Sequence, residues 1–313
     1  MSKAVFFSTG GIYTPSMLGM LYALGKKGIL ENTDAVGGIS SGSMIAAFLA
    51  TQDSFSAVKQ KVLNILIENS NGKAITPHYH LFNNILSLFT KESIFDDTGI
   101  KNILQEHLED KELKKDLYLG YTNETRMCYI TKQYFKGTTP EALHKYVHAS
   151  MSIPIVFKGV EDDNGDRLAD GGLFHTLPIE QIEEYVKDCM NKNIREAEIH
   201  LISASPFAFE PPKIVEKGFA RPIKETVRLT KSLHNITIHN DVKYLTLFIN
   251  NCRLNGFDLK IHNHEFPAKL MEEIDAKIPF ENYNKISEAE VTQLFNIGEN
   301  IIFNRSHELK FIF

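Results

Sequence analysis

Short apolar runs alternate with longer segments of helical periodicity along most of this chain, and glycine, proline or polar clusters mark each switch. Ala4-Val5-Phe6-Phe7 is too short for a helix and stops at Ser8-Thr9-Gly10-Gly11, which predicts a buried strand. Met17, Leu18, Met20, Leu21 and Leu24 then recur at helical spacing, with Pro15 near the first turn, where its missing N–H is tolerated. Ala35-Val36-Gly37 predicts a second buried strand, and Ser43 to Ala50 a helix apolar nearly all round, hence interior. Phe55 to Ile67 and Thr98 to Leu108 read as further helices. Leu117 to Thr122 and Arg126 to Tyr134 read as paired strands around Asn123-Glu124. Leu168-Ala169-Asp170 is a short strand and Ile199 to Ser203 a core strand. Strands alternating with helices predict an α/β fold, a three-layer α/β/α sandwich around a mainly parallel sheet covered on both faces.

The pattern loosens toward the C-terminus. Ile223 to Leu254, between Pro222 and Gly256, predicts a helical layer that walls a pocket or simply packs; its β-branched content allows a break near Asn240. Phe257 to Ile261 predicts an edge strand. Glu288 to Phe303 predicts an amphipathic helix whose stripe is Leu294, Phe295, Ile297, Ile301 and Ile302, with no chemistry attached. Leu81 to Phe89 reads as a short apolar helix, either a lid for an interface or core packing. With no repeat and no low-complexity linker, residues 1–313 read as a single domain, a motif-bearing core over about 4–205 and an extension over about 206–313.

Three glycine-marked turns carry the candidate chemistry. Gly38-Ile39-Ser40-Ser41-Gly42 fits GxSxG between a strand and a buried helix, the elbow that projects a nucleophilic serine from a sheet edge. A P-loop is excluded because no lysine follows Gly42, and no GxGxxG occurs. Gly10-Gly11 is either an ordinary strand-to-helix turn or a pair of backbone donors at a helix N-terminus, suited to an oxyanion. Asp170-Gly171-Gly172 is either a hairpin turn or a carboxylate delivered to the serine's sheet edge. Asp166 lies in a polar run and reads as a turn. Among the histidines, His148, His175, His234 and His264 are candidates for a base, but none has a triad context, and a direct Ser-Asp dyad fits the arrangement better.

Taken in order, Ser8-Thr9-Gly10-Gly11, Gly38 to Gly42, Ala149 to Phe157, and Asp170-Gly171-Gly172 with Pro178 make the chain resemble the patatin-like phospholipase family over about residues 4–180. The resemblance implies Ser40 as nucleophile, Asp170 as its base, and an oxyanion hole from Gly10, Gly11 and Ile12. It further implies acyl-ester hydrolysis of lipids with no metal and no cofactor. One block departs. The family's Gly-Gly-Gly-x-Arg/Lys-Gly loop aligns with Thr9-Gly10-Gly11-Ile12-Tyr13-Thr14, so the first glycine, the basic residue and the last glycine are replaced. A Thr at a position of positive φ would be strained. Acyl transfer by related serine-elbow chemistry, and non-catalytic lipid binding through the altered loop, stand as alternatives.

A formal charge of -5 argues against a nucleic-acid partner, which needs a basic face. The expected partner is a lipid or acyl ester, with peripheral contact to a membrane surface; the oligomeric state is left open. Cys128, Cys189 and Cys252 have no metal spacing and leave one thiol unpaired, which points to a reducing, cytoplasmic setting. The start has no signal-peptide pattern, and no apolar run approaches the ~18 residues of a membrane span.

Overall fold

A computed structural model of the chain describes residues 1–70, 76–77, 95–154, 156–207, 221–277 and 286–304. The elements in order are β1 (Ser2–Phe7), α1 (Thr14–Lys26), β2 (Ala35–Ile39), α2 (Ser41–Thr51), α3 (Phe55–Ser70), β3 (Thr76–Pro77), β4 (Phe95–Asp96), α4 (Thr98–Leu108), β5 (Asp116–Asn123) and β6 (Cys128–Tyr134). They continue with α5 (Leu143–Met151), β7 (Val160–Glu161), β8 (Arg167–Asp170), α6 (Ile179–Asn191), β9 (Glu196–Ser203), α7 (Arg221–Leu254), β10 (Asp258–Glu265), α8 (Ala268–Lys277) and α9 (Glu288–Asn304). The helix read over Leu81 to Phe89 lies outside the described residues.

Five parallel strands in the order β10-β9-β1-β2-β5 form the body of the main sheet. The three-layer reading holds because alternate residues of β1 enter different cores. Val5 and Phe7 pack with α1, α2, α5 and α9, whereas Ala4 and Phe6 face α6 and the C-terminal half of α7. The terminal helix is tied in as well, since Ser16 Oγ donates to Leu294 O at 3.0 Å.

Antiparallel strands finish the sheet at β5. There β6 runs along one side of the whole strand, while the other side is shared end to end: β2 pairs with Asp116–Gly120 and β8 with Tyr121–Asn123. A strand position has only two hydrogen-bonding neighbours, so β2 and β8 must approach each other head-on along one edge of β5. Ile39 pairs with Gly120 and Asp170 with Tyr121, adjacent positions on the template.

The structure shows no break at Asn240. Helix α7 runs through it because Ile238, Asp241, Leu245, Ile249 and Cys252 form one buried stripe, and packing of that stripe outweighs weak helix propensity. Strand β10 is the expected edge strand but extends to Glu265, held parallel to β9 along its length.

Candidate active site

Ser40 occupies the turn between β2 and α2 with φ 56° and ψ −133°, a conformation that L-residues rarely adopt. Close packing enforces it. A Cβ on Gly42 would run into Ser8 O and lie 2.8 Å from Phe7 Cβ, so α2 can start against the end of β1 only with glycine there; Gly38 similarly faces Gly42 O at 2.5 Å from its ideal Cβ. Ser43 ties off the turn, its N–H and Oγ both donating to Ser40 O at 2.9 and 2.6 Å.

Asp170 ends β8 and is held at four points. Its N–H donates to Ser152 O (2.9 Å), its carbonyl accepts from Thr122 Oγ1 (2.9 Å), its Oδ1 accepts from Gly172 N–H (2.6 Å), and its Oδ2 accepts from Ser40 Oγ (2.7 Å). Burial pushes the Asp170 carboxyl up to about 6, while the hydrogen bonds from Ser40 and Gly172 restrain the rise.

The glycine loop closes over this pair. Thr9 N–H donates to Thr176 O (3.0 Å), and a Cβ at Gly172 would sit 3.0 Å from Thr9 Cγ2, so the loop touches the Asp170 turn. On its other side Gly10 faces Ser41 Oγ, 2.5 Å from its ideal Cβ. Residues Gly11–Tyr13 form a single 3-10 turn leading into α1, and among the described residues the N–H groups of Gly10, Gly11 and Ile12 find no acceptor. They are available to a ligand, at the positive end of a helical run.

The altered loop positions prove self-consistent. Positive φ falls on Gly11 (50°) and not on Thr9, so threonine carries no backbone strain there. Thr14 Oγ1 donates to Gly11 O (2.6 Å), and Tyr13 OH donates to Asp275 Oδ1 (2.5 Å) from a ring packed on Phe266. The basic residue of the family pattern is thus replaced by a tether to α8.

None of the four candidate histidines bonds to Ser40. His148 Nε2 lies 2.8 Å from Asp97 Oδ2, His175 Nδ1 2.8 Å from Asp241 Oδ1, His234 Nε2 3.1 Å from Ser205 Oγ, and His264 Nε2 3.1 Å from His200 Nδ1. Burial would lower the His175 pKa, but hydrogen bonds and charge from Asp241 and Glu180 outweigh it and raise the value to about 9. Asp241 also accepts from the N–H groups of Thr176 and Leu177, which pins the chain after Gly172 to α7. Asp166 is a turn residue, accepting from Asn123 Nδ2 and paired with Arg126.

Residues that hold the site in place escaped the sequence reading. Ser150 Oγ accepts from the Ser40 N–H (2.9 Å) and donates to Gly120 O (2.6 Å), bridging the elbow to β5, while Ser152 holds Asp170. Their only signal was the run Ala149 to Phe157, legible as a resemblance but not as a hydrogen-bonding role. Ser150→Ala strands two buried backbone groups and is expected to lower the unfolding free energy by about 2 kcal/mol. Urea denaturation reads this, and an unchanged midpoint would show that the bridge does not hold the elbow. Exposed apolar side chains lie next to the site in the chain: Leu173 and Phe174 follow the Asp170 turn, and Ile153 follows Ser152, whose carbonyl holds Asp170. No helix among the described residues is long and apolar enough to cross a membrane.

Fold and site together define an α/β protein with a strained serine elbow, a buried serine–aspartate pair and a loop of unpaired amides. The family model for patatin-like phospholipase matches residues 5–182, and the chain belongs to that family. Patatin-like phospholipase domain-containing protein 6 of Mus musculus is 31% identical over 176 residues, 56% of this chain and 12% of that protein. Patatin-like phospholipase domain-containing protein 7 of Rattus norvegicus is 28% identical over 177 residues, with the same coverage. The chain therefore spans about an eighth of the length of these relatives. Among solved structures, VipD from Legionella pneumophila is similar at 17% identity and a TM-score of 0.40, covering 94% of this chain and 67% of that one. Full-length ExoU of Pseudomonas aeruginosa, in a complex with SpcU, gives 13% and 0.33, with 95% and 52% covered. At such scores the assignment rests on the family match and the sheet itself.

Proposed function

We propose that this chain is a serine lipid acyl hydrolase working through a Ser40–Asp170 dyad. The observation that carries the reading is the 2.7 Å hydrogen bond from Ser40 Oγ to a buried carboxylate, made from a backbone conformation that would not persist without enforcement. Asp170 takes the hydroxyl proton as Oγ attacks the ester carbonyl. The developing oxyanion meets the N–H groups of Gly10, Gly11 and Ile12, and Asp170 returns the proton to the departing alcohol. Water, activated by the same carboxylate, then cleaves the acyl-enzyme. The exposed apolar rim supports a lipid substrate and peripheral contact with a membrane surface. Three free cysteines fit a reducing, cytoplasmic setting.

A fluorophosphonate probe tests the nucleophile, and fatty-acid release from phospholipid micelles and from a short-chain ester tests the reaction. Wild type is expected to label at Ser40 and to hydrolyse both. Because the working form of Asp170 is the carboxylate, the rate should rise with pH through about 6 and then level. A protein that neither labels nor hydrolyses would overturn the hydrolase reading in favour of a lipid-binding module.

A further inference from the structure

The amides of the candidate oxyanion hole belong to a short loop whose placement depends on its two ends. At the far end Tyr13 is tied to α8 through Asp275. At the near end Thr9 N–H donates to Thr176 O at 3.0 Å. The peptide unit that supplies this carbonyl has its N–H on Leu177, and that N–H donates to Asp241 Oδ2 at 2.9 Å. Thr9, the Thr176–Leu177 peptide and Asp241 thus form one hydrogen-bonded chain from the glycine loop to α7. A carboxylate accepting at one end of a peptide strengthens the carbonyl at the other end as an acceptor.

Asp241 is 3% exposed and takes two further donors: Thr176 N–H at 2.7 Å on the same oxygen, and His175 Nδ1 at 2.8 Å from Oδ1. A buried carboxylate is costly unless it is paired, and here donors from three consecutive residues meet it. Those residues begin shortly after Gly172, whose N–H holds Asp170 Oδ1. One side chain of α7 therefore steadies both the turn that carries the candidate base and the loop that carries the oxyanion donors.

We propose that Asp241 is a positioning residue of the candidate active site, acting on Thr9 through the Thr176–Leu177 peptide, with His175 as its cationic partner. Its effect on rate presupposes the Ser40–Asp170 reading; the anchoring of Thr9 does not. Asp241 on α7 holds the imidazole Nδ1, Glu180 on α6 lies 3.6 Å from Nε2, and the Tyr129 ring on β6 meets the imidazole edge-on with centroids 4.9 Å apart. Loss of water around the Tyr129 phenol keeps its pKa well above the usual value, so it does not titrate with the histidine. His234 lies near Asp241 on α7, but burial lowers its pKa and leaves it neutral at pH 7, so His175 carries the charge. Although burial alone would lower it, the hydrogen bonds and charge of Asp241 and Glu180 raise the His175 pKa to about 9. The ion pair is complete at neutral pH and is lost as the imidazole gives up its proton through about 9.

Steady-state kinetics on a short-chain ester, together with hydrogen exchange of the Thr9 amide read by NMR, provide the test. Asp241→Ala is expected to lower kcat about a hundredfold with KM within about twofold, and to speed Thr9 exchange about tenfold. Asp241→Asn can still accept from both amides and should recover all but about threefold of the rate. In wild type the level rate above the Asp170 limb should end near pH 9 with about a threefold fall. His175→Asn, which can still donate to Asp241 but does not titrate, should remove that fall. Should Asp241→Ala fail to fold, the wild-type pH profile set against that of His175→Asn decides. An Asp241→Ala protein that keeps its kcat or its Thr9 protection overturns the positioning role, as does an alkaline fall that persists unchanged in His175→Asn. Thr9 released by Asp241→Ala, in a protein whose wild type hydrolyses no ester, would uphold the anchor and remove the hydrolase reading instead.

Discussion

Asp170→Asn is expected to lose at least about a thousandfold in acyl-ester hydrolysis while melting no lower than wild type at pH 8. The activity loss follows from geometry, since an amide in place of Oδ2 cannot take the Ser40 proton. The stability result follows from burial. Among the described residues no cation pairs with the carboxylate, and its pKa stands at about 6 against 3.8 in the unfolded chain. Below 3.8 both states are protonated and the group contributes nothing. As pH rises from 3.8 to about 6 the unfolded chain ionises first and folding loses stability; above about 6 the full cost is present, about 3 kcal/mol. Asparagine is neutral throughout, can still accept from Gly172 N–H, and can donate to Ser40 Oγ. Melting temperatures at pH 5 and pH 8 should therefore separate in the variant's favour as pH rises. A variant that keeps its rate would remove Asp170 as the base, and one that melts well below wild type at pH 8 would mean that the buried charge is compensated.

Gly42→Ala should break the elbow. Its Cβ would meet Ser8 O and Phe7 Cβ, main-chain-bound atoms at the end of a central strand that cannot swing aside as a flexible side chain would. A cost of about 2 to 4 kcal/mol, with loss of Ser40 labelling, is the expected outcome. Gly165→Ala is the matching control. Gly165 has φ 79° with no atom near its ideal Cβ, so alanine there meets only the backbone preference, about 1 to 2 kcal/mol, and should leave labelling intact. Equal urea midpoints for the two variants would show that the contact with β1 does not set the elbow.

Much of this molecule is written in local pattern. The apolar runs of β1, β2 and β9 and the all-apolar face of α2 are legible because central strands and an interior helix contact protein on every side. GxSxG is legible because the close approach of α2 to β1 leaves room only for glycine. Where side chains act through partners distant in the chain, the pattern fails. Ser150, Ser152 and Asp241 look like ordinary polar residues, and their roles exist only once Gly120, Asp170 and Thr176 lie beside them. The unbroken α7 is a similar case, since the local pattern allowed a break near Asn240 and the buried stripe from Ile238 to Cys252 decided for continuity.

The sequence by itself determined the alternation of strands and helices, the glycines that permit a sharp serine turn, and the residue types able to serve as nucleophile and base. Those are consequences of side-chain periodicity and backbone sterics within a few residues. Only the tertiary structure decided that Ser40 and Asp170, 130 positions apart, face one another. That meeting depends on β2 and β8 dividing a single edge of β5 between them, a competition for hydrogen-bonding positions that no local stretch of sequence records.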